Sequence, residues 1–83
     1  PSITSQPLSQ TVGNGSTVNF SVGIYGTTPL TYDWLWNGAP LNAANSSLTL
    51  TNVQPLHEGL YAVIVTNFWG SVTGAPALAA AGL

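Results

Sequence analysis

Acid–base chemistry in this 83-residue chain would have to come from three side chains: Asp33, His57 and Glu58. A general acid–base pair needs two titratable groups held together with separated pKa values. His57 and Glu58 are neighbours in sequence, so on an extended or turning chain they point apart. Asp33 lies in "LTYDWLWNG" and alternates outward from Trp34 on a different strand. Serines are plentiful, but no nucleophile-elbow motif surrounds one and there is no cysteine. One imidazole and two carboxylates cannot build a tetrahedral zinc site or an oxygen-rich calcium cage. Gly13-Asn14-Gly15 joins two strands and opens no helix, so it is not a phosphate loop. The expectation is a non-enzymatic chain with no catalytic, cofactor-binding or metal-ligating residue. His57 is assigned to the turn before the sixth strand, where its ring caps backbone groups.

Charge narrows the partners. The chain has no Lys and no Arg, and its formal net charge is −2. A protein that grips nucleic acid neutralises phosphates with cations, which are missing here. The same lack removes attraction to anionic membrane surfaces, and no apolar stretch is long enough for insertion. With 45% hydrophobic residues the chain can bury a core, so residues 1–83 read as one domain. The polar surface is Ser, Thr, Asn and Gln, a composition common in extracellular and cell-surface proteins. A chain that starts at Pro1 and has no Met reads as a processed or excised piece. Asn14, Asn19 and Asn45 each begin an Asn-x-Ser sequon, expected by chance in a chain so rich in both residues.

The elements that must position these residues are strands. "STVNFSVGIYG" places Val18, Phe20, Val22 and Ile24 on one face; "LTYDWLWNG" does so with Leu30, Tyr32, Trp34 and Trp36. "SSLTLTNV" alternates Leu48 and Leu50 against threonines, and "GLYAVIVTN" groups Tyr61, Val63 and Val65. Turn signals fall between them at Gly13-Asn14-Gly15, Thr28-Pro29, Asn37-Gly38 and Trp69-Gly70. Period-two runs about ten residues apart indicate a two-sheet β-sandwich. "PSITSQPLSQTV" predicts an edge strand interrupted at Pro7. "SVTGAPALAAAGL" predicts the last strand, despite an Ala-rich half of poor β propensity.

In order and spacing these runs resemble an immunoglobulin-like domain, particularly the cysteine-free tandem modules of bacterial surface proteins. "GSTVNFSV" is similar to the second strand and places Val22 at the first half-cystine position. "YDWLWNG" puts Trp34 at the buried core tryptophan. "SLTLTNVQ", with Leu50, is similar to the fifth strand, and "HEGLYAV" to the stretch usually written D-x-G-x-Y-x-C. That resemblance implies an all-β Greek-key sandwich of about seven antiparallel strands without a disulfide. It makes Phe20, Val22, Trp34, Leu50, Tyr61 and Val63 the core, with Tyr61 as corner tyrosine and Val63 at the second half-cystine. Losing such a bridge costs about 2–5 kcal/mol. Two buried valines return roughly 1.5–3 kcal/mol each.

Function is then expected from surfaces. Phe68 and Trp69 in "TNFWGS" fall in the turn between the last two strands. There they either fold back over the open end of the sandwich or contact a neighbouring module. Leu35 and Ile64 are placed outward on adjacent strands, forming an apolar stripe with Phe68 or Trp69 unless a bulge turns one inward. Edges without Lys invite strand addition at the first or last strand. These features imply a structural module of an extracellular or cell-surface protein. Its partners would be adjacent immunoglobulin-like domains or copies of itself, stacked in a tandem array or filament. The alternative is an adhesion or carbohydrate-binding accessory module, with Tyr25, Trp36 and Trp69 as candidates for a glycan ligand.

Overall fold

Each run that alternates in the sequence is extended in space. The computed structural model describes residues 1–81. Its strands are β1 (Ser2–Ser5), β2 (Gln10–Val12), β3 (Val18–Ser21), β4 (Gly23–Tyr25), β5 (Thr31–Trp36), β6 (Ala39–Pro40), β7 (Ser47–Leu50), β8 (Gly59–Asn67), β9 (Gly70–Thr73) and β10 (Ala77–Ala81). A single 3-10 turn, Pro55–His57, precedes β8. Burial follows side-chain parity: Val18, Phe20 and Val22 are buried while Asn19 and Ser21 are exposed.

Two layers result. In the first, β1 pairs with β4 and β3 with β7. β3 and β4 are halves of one run broken at Val22. The Val22 N–H still donates to the Ser46 carbonyl at 3.0 Å, which carries the β3–β7 ladder past the break. The second layer runs β2-β10-β8-β5-β6, with β9 also on β8. All pairings are antiparallel except that β2 runs parallel to β10.

The first strand therefore changes layer, and buried Pro7 sits at the crossing. A residue that cannot donate to a ladder is suited to the point where the chain leaves one. Polar side chains around the break hold the last strand: Gln6 Oε1 accepts from the Ala75 N–H at 3.0 Å, and Ser9 Oγ from that of Leu78 at 2.9 Å.

The single last strand expected from the sequence is two. Gly74–Pro76 separates β9 from β10, and their registers on β8 differ by one residue, as in a bulge. Ala77, Ala79 and Ala81 face the core, so their small side chains, poor β formers by themselves, are held between β2 and β8. The part of that expected strand at 82–83 lies outside the described residues.

Trp34 is fully buried at the centre, and its Nε1 donates to the Asn45 carbonyl at 2.8 Å. Phe20 stacks against it at 6.4 Å and against Tyr61 at 5.3 Å; Trp36 stacks on Tyr61 at 6.3 Å. Val22 and Val63 belong to the same buried cluster. Leu50 is only half-buried, because β7 is the rim of its layer. Val53, which the alternation did not single out, is fully buried just beyond β7.

The entry to β8 is fixed by a short set of contacts. His57 Nδ1 accepts the Gln54 N–H at 2.9 Å, the backbone-capping role expected of it. Tyr61 reaches back so that its hydroxyl donates to the His57 carbonyl at 2.7 Å. Gly59, between them, has φ +149. A Cβ there would come within 2.6 Å of Trp36 Nε1 and of the Asn37 amide. Asn37 and Gly38, both at positive φ, turn β5 into β6, and Asn37 Oδ1 accepts the Leu60 N–H at 2.9 Å.

Gly59→Ala combines backbone strain with that clash, and it should lower unfolding free energy by at least about 2 kcal/mol in urea titrations. Burial pushes the Tyr61 phenol above the ordinary tyrosine pKa of 10.0. A raised folded-state pKa means that its contribution is complete below about pH 10 and is lost as pH rises through the folded value. Tyr61→Phe should cost about 1 kcal/mol at pH 7 and flatten the alkaline loss of stability in melts between neutral and high pH.

Candidate interaction surface

The titratable side chains are scattered, as their sequence positions implied. His57 faces backbone in its turn, and the Glu58 carboxylate is exposed. Asp33 is exposed on the outer side of the second layer, in register with Ile64. Among the described residues no group of three or more His, Cys, Asp or Glu could hold a metal ion.

What the fold does collect is apolar surface at one end of the molecule, which measures 44 × 21 × 17 Å. β8 and β9 meet in the two-residue turn Phe68-Trp69, whose side chains are 88% and 72% exposed. Neither folds back over the sandwich. The two rings pack edge to face instead, with centroids 5.4 Å apart. The turn is anchored on both sides: Asn67 Oδ1 accepts the Trp69 N–H at 3.0 Å, and Asn67 Nδ2 donates to the Thr27 carbonyl at 3.2 Å. Tyr25, 78% exposed, ends β4 at the same pole. Pro1 is there too, close enough that its Cα would lie 3.1 Å from a Cβ at Gly26.

The opposite pole holds the 3-10 turn, the Asn37-Gly38 turn and the Gly13–Ser16 turn, tied down by the Gly15 N–H donating to the Val53 carbonyl at 2.7 Å. β10 runs toward that end, with Ala79 beside Gly59 and Ala81 beyond it. Residues 1 and 81 thus lie at opposite ends of the long axis.

The outer face of the second layer carries a separate stripe. Leu35 and Ile64 both point outward and half-buried, with no bulge turning either inward. The stripe does not extend to Phe68 and Trp69 as the sequence suggested, because Thr31, Thr66 and Ser71 form a polar row between them. It runs the other way, through the register pairs Leu35–Ala62, Leu35–Pro40 and Leu60–Leu78, with Leu60 49% and Leu78 44% exposed.

Of the aromatic residues that could face a glycan, Trp36 is withdrawn: it stacks on Tyr61, and its Nε1 donates to the Glu58 carbonyl at 3.1 Å. Tyr25 and Trp69 remain exposed at the aromatic pole. A cleft of about 320 Å³ opens elsewhere, between the crossing of the first strand and the outer face of β3. Ser5, Gln6, Gln10, Asn19 and Ser21 line it together with the apolar Leu8, without any aromatic ring or charge.

Comparison with known proteins places this geometry. The structure superposes on the M3 domain of titin with a TM-score of 0.86 and 22% identity, over 99% of this chain and 96% of that one. It matches the I67–I69 I-band fragment of titin with a TM-score of 0.87 and 18% identity, over 96% of this chain. Within the five-domain Sidekick-1 fragment it matches with a TM-score of 0.88 and 20% identity. The chain spans about a third of the I-band fragment (31%) and 18% of the Sidekick-1 fragment, each a row of several such domains. No curated protein matches in sequence. The family model described as immunoglobulin domain matches residues 1–67, from the first strand through β8. The chain belongs to the immunoglobulin domain family.

Proposed function

We propose that this domain is a non-catalytic structural module of an extracellular or cell-surface protein, stacked end to end with other immunoglobulin-like domains or with copies of itself. The observation that carries the reading is the exposed Phe68–Trp69 pair, on a turn anchored by Asn67 at the pole where residue 1 lies. Exposed aromatic pairs on a fixed turn are costly in water and favour contact with another surface. With residues 1 and 81 at opposite poles, a preceding module meets these rings and a following one meets the 3-10 turn. Head-to-tail contacts of this kind are heterologous and extend into open arrays or filaments. Support comes also from the multidomain proteins in which similar folds occur in series. A bacterial origin is proposed from the sequence resemblance alone.

Two copies fused head to tail should give a scattering envelope about twice the 44 Å length of one. Replacing Phe68 and Trp69 of the second copy with serine should broaden its distribution of lengths. A fusion equally flexible with and without the rings would reject the reading.

Tyr25 and Trp69, exposed at one pole, also support the adhesion or carbohydrate-binding reading. Titration with glycans would then quench or shift tryptophan emission saturably in the parent and not in Trp69→Ser. An emission spectrum unmoved by sugars leaves the spacer role alone.

A further inference from the structure

The first layer ends at β7, which pairs with β3 and with nothing else among the described residues. The segment that could have covered it is drawn to the other layer. The Leu41 N–H donates to the Trp34 carbonyl at 3.0 Å, the Trp34 N–H to the Ala43 carbonyl at 3.3 Å, and Trp34 Nε1 to the Asn45 carbonyl. The chain from Leu41 to Asn45 is thus committed to β5, and it returns to the first layer only at Ser46.

The ladder geometry says which groups are left facing outward. Val22 and Ser46 form a hydrogen-bonded pair, so by alternation Phe20–Leu48 and Val18–Leu50 do too. The backbone groups of Ser47 and Thr49 then point away from β3; β7 ends at Leu50, ahead of Asn52 at positive φ. Other rims are guarded as edges usually are. β6 contains Pro40, β1 shifts register between Ile3 and Ser5, β9 ends at the Gly74–Pro76 bulge, and β2 has three residues. β7 has no proline, glycine, bulge or charge, and no Asp, Glu, Lys or Arg occurs between Asp33 and Glu58.

From these observations we infer that β7 is a self-pairing edge whose partner is β7 of a second copy, antiparallel about a two-fold axis at Thr49. The segment "SLTLT" (Ser47–Thr51) is self-complementary in that register. Thr49 faces Thr49 and Ser47 faces Thr51, so the outward N–H and carbonyl of each Thr49 meet the carbonyl and N–H of the other. On the core side Leu48 faces Leu50, and both are half-buried in one copy because the sandwich is open there. Cross-strand threonine pairs are favourable in such ladders, and facing leucines withdraw apolar surface from water. The absence of like charge removes the usual obstacle. This contact is lateral and two-fold, so it is distinct from the polar stacking proposed above, and it would join arrays side by side.

The chain has no cysteine, which gives a clean readout. Under mild oxidation Thr49→Cys should cross-link to a dimer roughly tenfold faster than Ser71→Cys on exposed β9, because the two-fold raises the local thiol concentration. In a sedimentation concentration series the parent should dimerise. Thr49→Lys, which sets like charges against each other and also removes the Thr49 hydroxyl's hydrogen bond to Asn19 Oδ1, should stay monomeric and still melt cooperatively. Phe68→Ser with Trp69→Ser should leave this dimer intact, separating it from the polar contact. Equal cross-linking at the two cysteine positions would overturn the proposal, as would a parent that remains monomeric or a dimer that survives Thr49→Lys. If Thr49→Lys proves unstable, the cysteine comparison decides.

Discussion

Two β-layers are held face to face in this domain without a covalent tie, and the fully buried indole of Trp34 is what they share. It is reached from the first layer by Phe20, stacks in series toward Tyr61, and donates its one polar hydrogen to the Asn45 carbonyl. Satisfying that donor matters because an unpaired N–H at full burial would cost on the order of a hydrogen bond or more. The choice of acceptor has a structural consequence. Fixing the Leu41–Asn45 segment against β5 completes the second layer and leaves the first layer without a strand beyond β7.

The scarcity of ionic side chains, Asp33 and Glu58 alone beside no Lys or Arg, acts in the same direction throughout. A surface of Ser, Thr, Asn and Gln lets the backbone close its turns with side-chain amides: Asn37 at the entrance of β8, Asn67 at the aromatic turn, Gln6 at the crossing of the first strand. The same surface has few charges to keep neighbours away. The contacts proposed for it are therefore shaped by geometry, through bare backbone at one rim and exposed rings at one pole. An isolated aromatic turn and an unguarded edge are both unfavourable for a solitary domain. They are coherent in the stacked module proposed above.

Among the described residues the titratable side chains are not gathered into one site. His57 is the one imidazole, and it is used to accept a backbone N–H, the position filled by Asp in the stretch D-x-G-x-Y-x-C that the sequence resembles. Tyr61 then closes the corner onto the His57 carbonyl, which ties the turn to the core through one side chain.

Much of the fold was legible in the residues alone. Period-two alternation determined which side chains of β3, β5 and β8 face inward, because a strand offers only two faces. Asn37-Gly38 announced its turn, because both residues tolerate positive φ. The aromatic turn was also visible, since Phe68 and Trp69 fall between two such runs. The tertiary structure decided what depends on distant partners. Whether the rings fold back or stand out, how the last strand divides at Gly74–Pro76, and why Val53 is buried are set by contacts across the two layers. Register likewise broke the expected stripe at Thr31, Thr66 and Ser71 and redirected it toward Leu60 and Leu78. The bare rim at β7 could not be read from "SLTLT", because its exposure comes from hydrogen bonds that another segment makes to Trp34 and β5. Alternation is local, and a free edge is a property of what fails to arrive beside it.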